Sequence, residues 1–351
     1  MVKRLVAALA LAAVGLSSAV HAQNAADKAR PAAKAAAKPA AKSAAKPAAK
    51  PAARKASSAA PAAKRNVRRA NVPARPSEGQ LAGLHKIDDP LDLRSSVALV
   101  VDQDTDEVLF QKNPDAVLPI ASITKLMTAL VTVDAGLPLD EVLVVDKSDR
   151  TIDRVRSWLT PGVKLTRGEA LHLALMSSEN HAAQMLGRTY PGGLSAFVAA
   201  MNAKAQMLGM HDSRFADPTG LNADNRSSPA DLVRLVKAAY QHDVIRDYSV
   251  STGATVQIGR RLVQYGSTNG LTHSADWNIG LQKTGFISAA GRCLVLSAVV
   301  EGQRVVMVLL DSVGKYSRIG DAQRIKDWLV TRGVHKPATT TAKVKTAESD
   351  F

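Results

Sequence analysis

One cysteine in 351 residues leaves Cys293 without a partner in the chain, which excludes an internal disulfide framework as a source of stability. Its setting, "GRCLVLSAVV", reads as that of a small buried hydrophobe rather than a reactive thiol. Long apolar runs are also missing: nothing approaches the roughly 20 residues that a membrane-crossing helix requires, so no transmembrane span is expected. The eight histidines show no H-E-x-x-H or similar ligand spacing, which argues against zinc. Neither a metal nor a cofactor is expected.

Residues 23–78 lack aliphatic bulk beyond alanine. They are built from "AAK", "AAKPAAK" and "PAARK" units, a composition that cannot bury a core and reads as a disordered basic linker. Ahead of it, Lys3 and Arg4 precede an apolar run and then "VHA", the charged, apolar and small-residue order of a secretory signal peptide over residues 1–22. An exported, periplasmic protein is the expectation. Of the net charge of +15, +12 lies in residues 23–78 (14 Lys and Arg against 2 acids) and +2 in the signal, which leaves +1 for residues 79–351. The basic character therefore describes the tail. In an exported chain it points to a solvated spacer with some attraction to anionic envelope polymers, and not to nucleic acid. A second disordered tail is expected over 334–351, "HKPATTTAKVKTAESDF" from 335 onward, which has no apolar face.

What remains, residues 79–333, suits one body. Residues 97–101 ("VALVV") and 107–111 ("EVLFQ") flank a turn-like "DQDTD" and predict a hairpin. Then comes "ASITKLM". Ile123, Leu126, Met127, Leu130 and Val131 repeat with helical period up to Gly136, so Ser122 stands at a helix N-terminus. Positions i and i+3 share a face, so Ser122 and Lys125 can meet there. The positive end of the helix favours an alkoxide over an alcohol and an amine over an ammonium. A serine needs a nearby base, and a lysine serves only if its ammonium is destabilised. S-x-x-K by itself is common, and recurs at Ser43 to Lys46 and at Ser312 to Lys315.

Two further segments give the first one its context. In "TRGEALHLALMSSENHAAQMLGR", Thr166 and Glu169 form a T-x-x-E capping box that opens a helix, and the polar knot 177–180 interrupts it before an apolar face resumes. Such a knot between apolar helices is costly unless its groups find partners. In "LQKTGFISAAGRCLVLSAVVEGQRVVMVLLDS", two long apolar runs joined by "EGQR" predict a hairpin, and Lys283-Thr284-Gly285 lies just upstream, where a third strand should pair. The glycine lets a ligand approach the backbone. Another S-x-N, Ser267 to Asn269, lies close to K-T-G and outside any helix pair.

S-x-x-K, S-x-N and K-T-G in this order, with 56 residues from Ser122 to Ser178 and 105 from Ser178 to Lys283, form a set found in penicillin-binding proteins and class A β-lactamases. The chain resembles the low-molecular-mass penicillin-binding proteins, the serine D-alanyl-D-alanine peptidases of peptidoglycan, from about residue 95 to 329. Within them it is most similar to the endopeptidase type, through "LMSSENHAAQMLGRTYPGG", "FADPTGLN", "DWNIGLQKTGF" and "AAGRCLV". The resemblance implies an α+β fold: an antiparallel β-sheet flanked by helices with a mainly helical lobe, the penicillin-binding protein/β-lactamase-like transpeptidase fold. It implies Ser122 as the acyl-ester nucleophile, Lys125 as proton acceptor, Ser178 as proton relay to the leaving amine and Asn180 as the group that holds Lys125 and the substrate amide. Lys283 would supply positive charge, Thr284 would bind a carboxylate and Gly285 would let the substrate backbone approach, with an oxyanion hole formed by the backbone N–H groups of Ser122 and Phe286. Substrate would lie along the K-T-G strand as an added strand. The partners implied are peptidoglycan stems and cross-links, with β-lactams as covalent inhibitors.

Three rivals stay in view. A class A β-lactamase needs a glutamate between S-x-N and K-T-G to drive deacylation, and no glutamate lies between Glu179 and Glu301. A carboxypeptidase shares the acylation machinery, but such relatives often carry a second β domain and an amphipathic C-terminal anchor, and only 37 residues follow Gly314 here. A peptidoglycan-sensing module would have lost its nucleophile, base or relay, and none is lost.

Overall fold

The computed structural model describes residues 75–151 and 157–332. The expected signal peptide, the linker up to residue 74 and the tail over 334–351 lie outside the described residues. Composition alone extends the linker through Glu78, but the body already includes that stretch. Ser77 is buried and caps α1 (Glu78–Leu81). Its Oγ accepts from Gln80 N at 3.3 Å and its N–H donates to Gln80 Oε1 at 3.2 Å. A capping box needs only S-x-x-Q, here "SEGQ", a signal obscured by the alanine-rich run before it.

The expected first hairpin is β1 (Ser95–Asp102) and β2 (Val108–Lys112). The short β3 (Leu118–Pro119) then leads into a 3-10 turn over Ala121–Ile123 and the helix α2 (Thr124–Asp134). The ribbon of β4 (Val142–Val144) and β5 (Lys164–Thr166) delivers α3 (Arg167–Met176), whose predicted capping box is present, and α4 (Asn180–Arg188) and α5 (Gly193–Met207) follow. After β6 (Arg226–Ser227), which pairs back onto β3, come α6 (Pro229–Tyr240), α7 (Asp243–Val250) and the hairpin of β7 (Gly253–Ile258) and β8 (Arg261–Gly266). The chain returns as β9 (Asn278–Ile287), β10 (Gly291–Val300) and β11 (Gln303–Ser312), and closes with α8 (Ser317–Arg332).

Five strands form one antiparallel sheet in the order β2-β1-β11-β10-β9. Its first and last hairpins are neighbours because β1 pairs with β11, Ser95 opposite Ser312 and Asp102 opposite Val305. Period-two alternation sorts the apolar runs onto two faces. Val306, Val308 and Leu310 face the helical lobe with Val97, Leu99 and Val295, while Val305, Met307 and Leu309 pack with Ala322, Ile325 and Leu329 of α8. Both faces are covered, which explains why β10 and β11 read as continuous apolar runs instead of alternating ones.

Helical period assigns α2 one apolar face, whereas Thr124 through Thr132 are all buried. The helix is the axle of the lobe. Two of its three threonines tolerate this because backbone carbonyls accept their hydroxyls, Thr128 Oγ1 donating to Pro218 O at 2.6 Å and Thr132 Oγ1 to Thr128 O at 2.8 Å, while the Thr124 hydroxyl is buried without a partner among the described residues. Among the described residues no helix is long and apolar enough to cross a membrane.

Candidate active site

Ser122 occupies the 3-10 turn that opens into α2, one turn before Lys125. The preceding residue, Ala121, has φ +48°, a left-handed conformation that costs an L-residue about 1–3 kcal/mol. Gly220 backs this turn: a Cβ there would fall 1.9 Å from Ala121 O, and its φ is +80°. The loop around Gly220 is fastened by Asp217, whose Oδ1 accepts from Thr219 N at 2.6 Å and Gly220 N at 2.8 Å, and whose Oδ2 accepts from Asn225 Nδ2 at 2.9 Å.

That loop presents a group to Lys125. Lys125 is fully buried, and its Nζ donates to Asn180 Oδ1 at 2.6 Å and to Thr219 O at 2.7 Å while lying 2.9 Å from Ser122 Oγ. Two of these partners are carbonyl oxygens, which only accept. A neutral amine has two N–H donors and one lone pair. A neutral amine that gave its two donors to Asn180 and Thr219 would keep its lone pair for the Ser122 hydroxyl, 2.9 Å away.

Asn180 opens α4, and two side chains of the polar knot before it have partners. Ser177 Oγ donates to Leu173 O at 2.8 Å, closing α3. Glu179 Oε2 accepts from His181 N at 3.1 Å, and its other oxygen accepts from Ser157 Oγ. Between them Ser178 has φ +60° and is half-buried, strain located at the connection that carries the proposed relay.

The third motif arrives on β9, the edge strand. Gly285 lies against the nucleophile's turn: a Cβ there would sit 3.1 Å from Ser122 N and 2.9 Å from Ile120 O. The backbone amides of Ser122 and Phe286 therefore belong to adjoining segments, with Phe286 itself 54% exposed at the rim and the Arg292 guanidinium over its ring. Thr284 Oγ1 is 2.6 Å from Thr268 Oγ1, and Thr268 N donates to Met176 O at 3.2 Å. The 267–269 segment thus links the end of α3 to the K-T-G strand.

Lys283 is fully buried, and its Nζ donates to Thr284 O at 3.0 Å. Burial, followed by the charges of Lys125 and Arg318, pulls its pKa well below that of an ordinary lysine. The two buried amines oppose each other's charge: a proton on Lys125 disfavours a proton on Lys283. A stability effect follows. The unfolded chain holds the Lys283 proton up to a pKa near 10.5, the folded chain releases it lower, and between the two values stability rises with pH. Lys283→Met should therefore melt at a higher temperature than the wild type at pH 7 while losing activity, and calorimetric scans should show the gap closing as pH approaches 10.5. A variant that melts lower at pH 7 would contradict this sign.

The structure joins Ser122, Lys125 and Asn180 directly and sets Gly285 against the turn that carries Ser122, with Lys283 within reach of the Lys125 charge, Thr284 next to it on β9 and Phe286 at the edge; Ser178 stands two residues before Asn180. It adds the Thr219 carbonyl, the Thr268 hydroxyl and Arg318, which the motifs do not single out. Among the described residues no group of three or more His, Cys, Asp or Glu is placed to hold a metal ion.

This arrangement coincides with known proteins along its length. The family described as D-alanyl-D-alanine carboxypeptidase matches residues 85–314. The chain belongs to that family. Two curated D-alanyl-D-alanine endopeptidases, from Pseudomonas aeruginosa and Escherichia coli, are 47% and 44% identical over 243 residues, 68% of this chain and 78% of each relative. The crystal structure of a Streptomyces DD-transpeptidase superposes with a TM-score of 0.64 at 26% identity, covering 70% of this chain and all of that one. Membership of the serine D-alanyl-D-alanine peptidases and the α+β fold are thus as expected, and both the family match and the superposition rest on the described body.

Proposed function

We propose that the chain is a penicillin-sensitive DD-endopeptidase that hydrolyses D-alanyl cross-links between peptidoglycan stems through an acyl-Ser122 intermediate. The observation that carries the chemistry is the buried Lys125 Nζ, held by two carbonyl acceptors and lying 2.9 Å from Ser122 Oγ. Ser122 Oγ attacks the D-alanyl carbonyl as its proton passes to Lys125. The oxyanion is received by the amides of Ser122 and Phe286. The C–N bond breaks as the proton passes through Ser178 to the departing amine, and water then repeats the sequence on the ester. As the sheet's terminal strand, β9 offers a free edge along which the stem's backbone pairs, with Thr284 hydrogen-bonding the substrate carboxylate.

Endopeptidase is favoured over carboxypeptidase by identity: 47% and 44% to the curated endopeptidases, against 27% and 26% to the carboxypeptidases DacF of Bacillus subtilis and DacC of Escherichia coli. The site of action is the periplasm. The basic segment over 23–78 serves as a spacer with electrostatic affinity for anionic envelope polymers, and nucleic acid is not a partner. Incubation with purified cross-linked muropeptide dimers and with uncross-linked pentapeptide monomers tests the assignment. Conversion of dimers into monomers is the expected result, and loss of terminal D-alanine alone would replace it with carboxypeptidase.

A further inference from the structure

The nucleophile and the K-T-G strand belong to different parts of the fold, and the amides proposed to share the oxyanion are divided between them. Their spacing depends on what ties the β9–β10 hairpin to the segment that delivers Ser122. The first helix of the body makes that tie. Glu78 N donates to Ala289 O at 2.9 Å, in the turn between β9 and β10. The Glu78 carboxylate accepts from Arg226 Nη1 at 2.7 Å. Arg226 Nη2 donates in turn to Val117 O at 3.1 Å, and the Arg226 backbone pairs with Pro119 of β3, three residues before the nucleophile. Through its amide and its carboxylate, one residue therefore joins the hairpin turn to the strand that runs into Ser122. α1 has a fixed seat for this purpose, because a Cβ on Gly79 would fall 2.3 Å from Asp311 Oδ2, leaving no slack between the helix and the end of β11.

We propose that Glu78 is a positioning residue: with Arg226 it braces the K-T-G hairpin against the β3 segment and so fixes the separation of the two oxyanion donors. The proposal rests on the reading of Ser122 as the acylated serine. Transition-state donors act over a narrow range of distance, and a displacement of about 1 Å costs about a hundredfold in rate. Loosening one of several ties moves the donors by less. The effect should fall on the bond-forming step and not on the initial capture of ligand, whose contacts are spread along the cleft.

The test is the concentration dependence of fluorescent-penicillin acylation by the full mature chain, which separates the limiting acylation rate from half-saturation, with melting temperature measured alongside. Glu78→Ala should lower the limiting rate about three- to tenfold and leave half-saturation within about twofold. Glu78→Gln, which keeps an acceptor for Arg226, should recover most of the rate. A purely structural role would lower the melting temperature without this split, and would not distinguish the glutamine variant by rate. If Glu78→Ala acylates at the wild-type limiting rate, or if half-saturation alone moves, the brace is overturned. If the wild type takes up no drug at Ser122, the site reading falls and the brace falls with it.

Discussion

Ser122→Ala should take up no fluorescent penicillin, while Ser43→Ala and Ser312→Ala label like the wild type. The three serines share the S-x-x-K pattern, and the surroundings of two of them can be compared directly. Ser122 has Lys125 Nζ at 2.9 Å, and that amine is fixed by Asn180 and Thr219. Ser312 ends β11, buried with its Oγ 3.5 Å from Asp321 Oδ2, while Lys315, three residues on, lies over the Tyr316 ring. An acceptor carboxylate orients the Ser312 hydroxyl but offers no lone-pair amine within an open cleft. Lys125→Ala should keep the serine and lose its base, a change of about 10²- to 10⁴-fold in acylation. Gel fluorescence after a short exposure measures both variants. Full labelling of Ser122→Ala would remove the nucleophile from its role.

Much of this site was legible because its signals are side-chain types at fixed spacing. Ser122 and Lys125 meet because i and i+3 share a face, and Asn180 reaches Lys125 because the knot in "SSEN" starts a new helix at that residue. The third partner of Lys125 is a backbone carbonyl, and any residue has one. Only the acidic turn that presents it leaves a trace, in "DPTG", where Asp217 accepts from the amides two and three residues on. Thr268 was obscured differently. Its S-x-N triplet competes with the one at 178–180 and lies near K-T-G in sequence, yet that proximity is what lets the loop before β9 fold back onto Thr284. Strain is hidden from sequence as well. Ala121 and Ser178 carry no mark of a left-handed backbone, and their conformations are imposed by the packing of Gly220 and by the caps on either side of the knot.

The remaining large effect separates an enzyme that penicillin inhibits from one that destroys penicillin. A β-lactam mimics the D-alanyl-D-alanine backbone, so Ser122 should open its ring, but the opened drug stays tethered and no fragment departs to clear a path for water. Fast hydrolysis of that ester needs a carboxylate base beside it, the part a class A β-lactamase supplies with a glutamate. Among the described residues, the acid inside the S-x-N motif and the one beside the Thr219 carbonyl have other duties. Glu179 holds Ser157 and the first turn of α4, and both oxygens of Asp217 hold the loop that carries Thr219. On the proposed mechanism, deacylation is left to Lys125 and Ser178, whose roles there serve a peptide and its departing amine. Intact-mass spectrometry after mixing with excess benzylpenicillin should therefore show one added drug mass per chain, persisting for minutes or longer, and Lys125→Ala should fail to acquire it. Repeated turnover of drug at the pace of an ordinary enzyme, on the order of 10 per second, would require a base that this arrangement does not provide, and would put β-lactamase in place of peptidase.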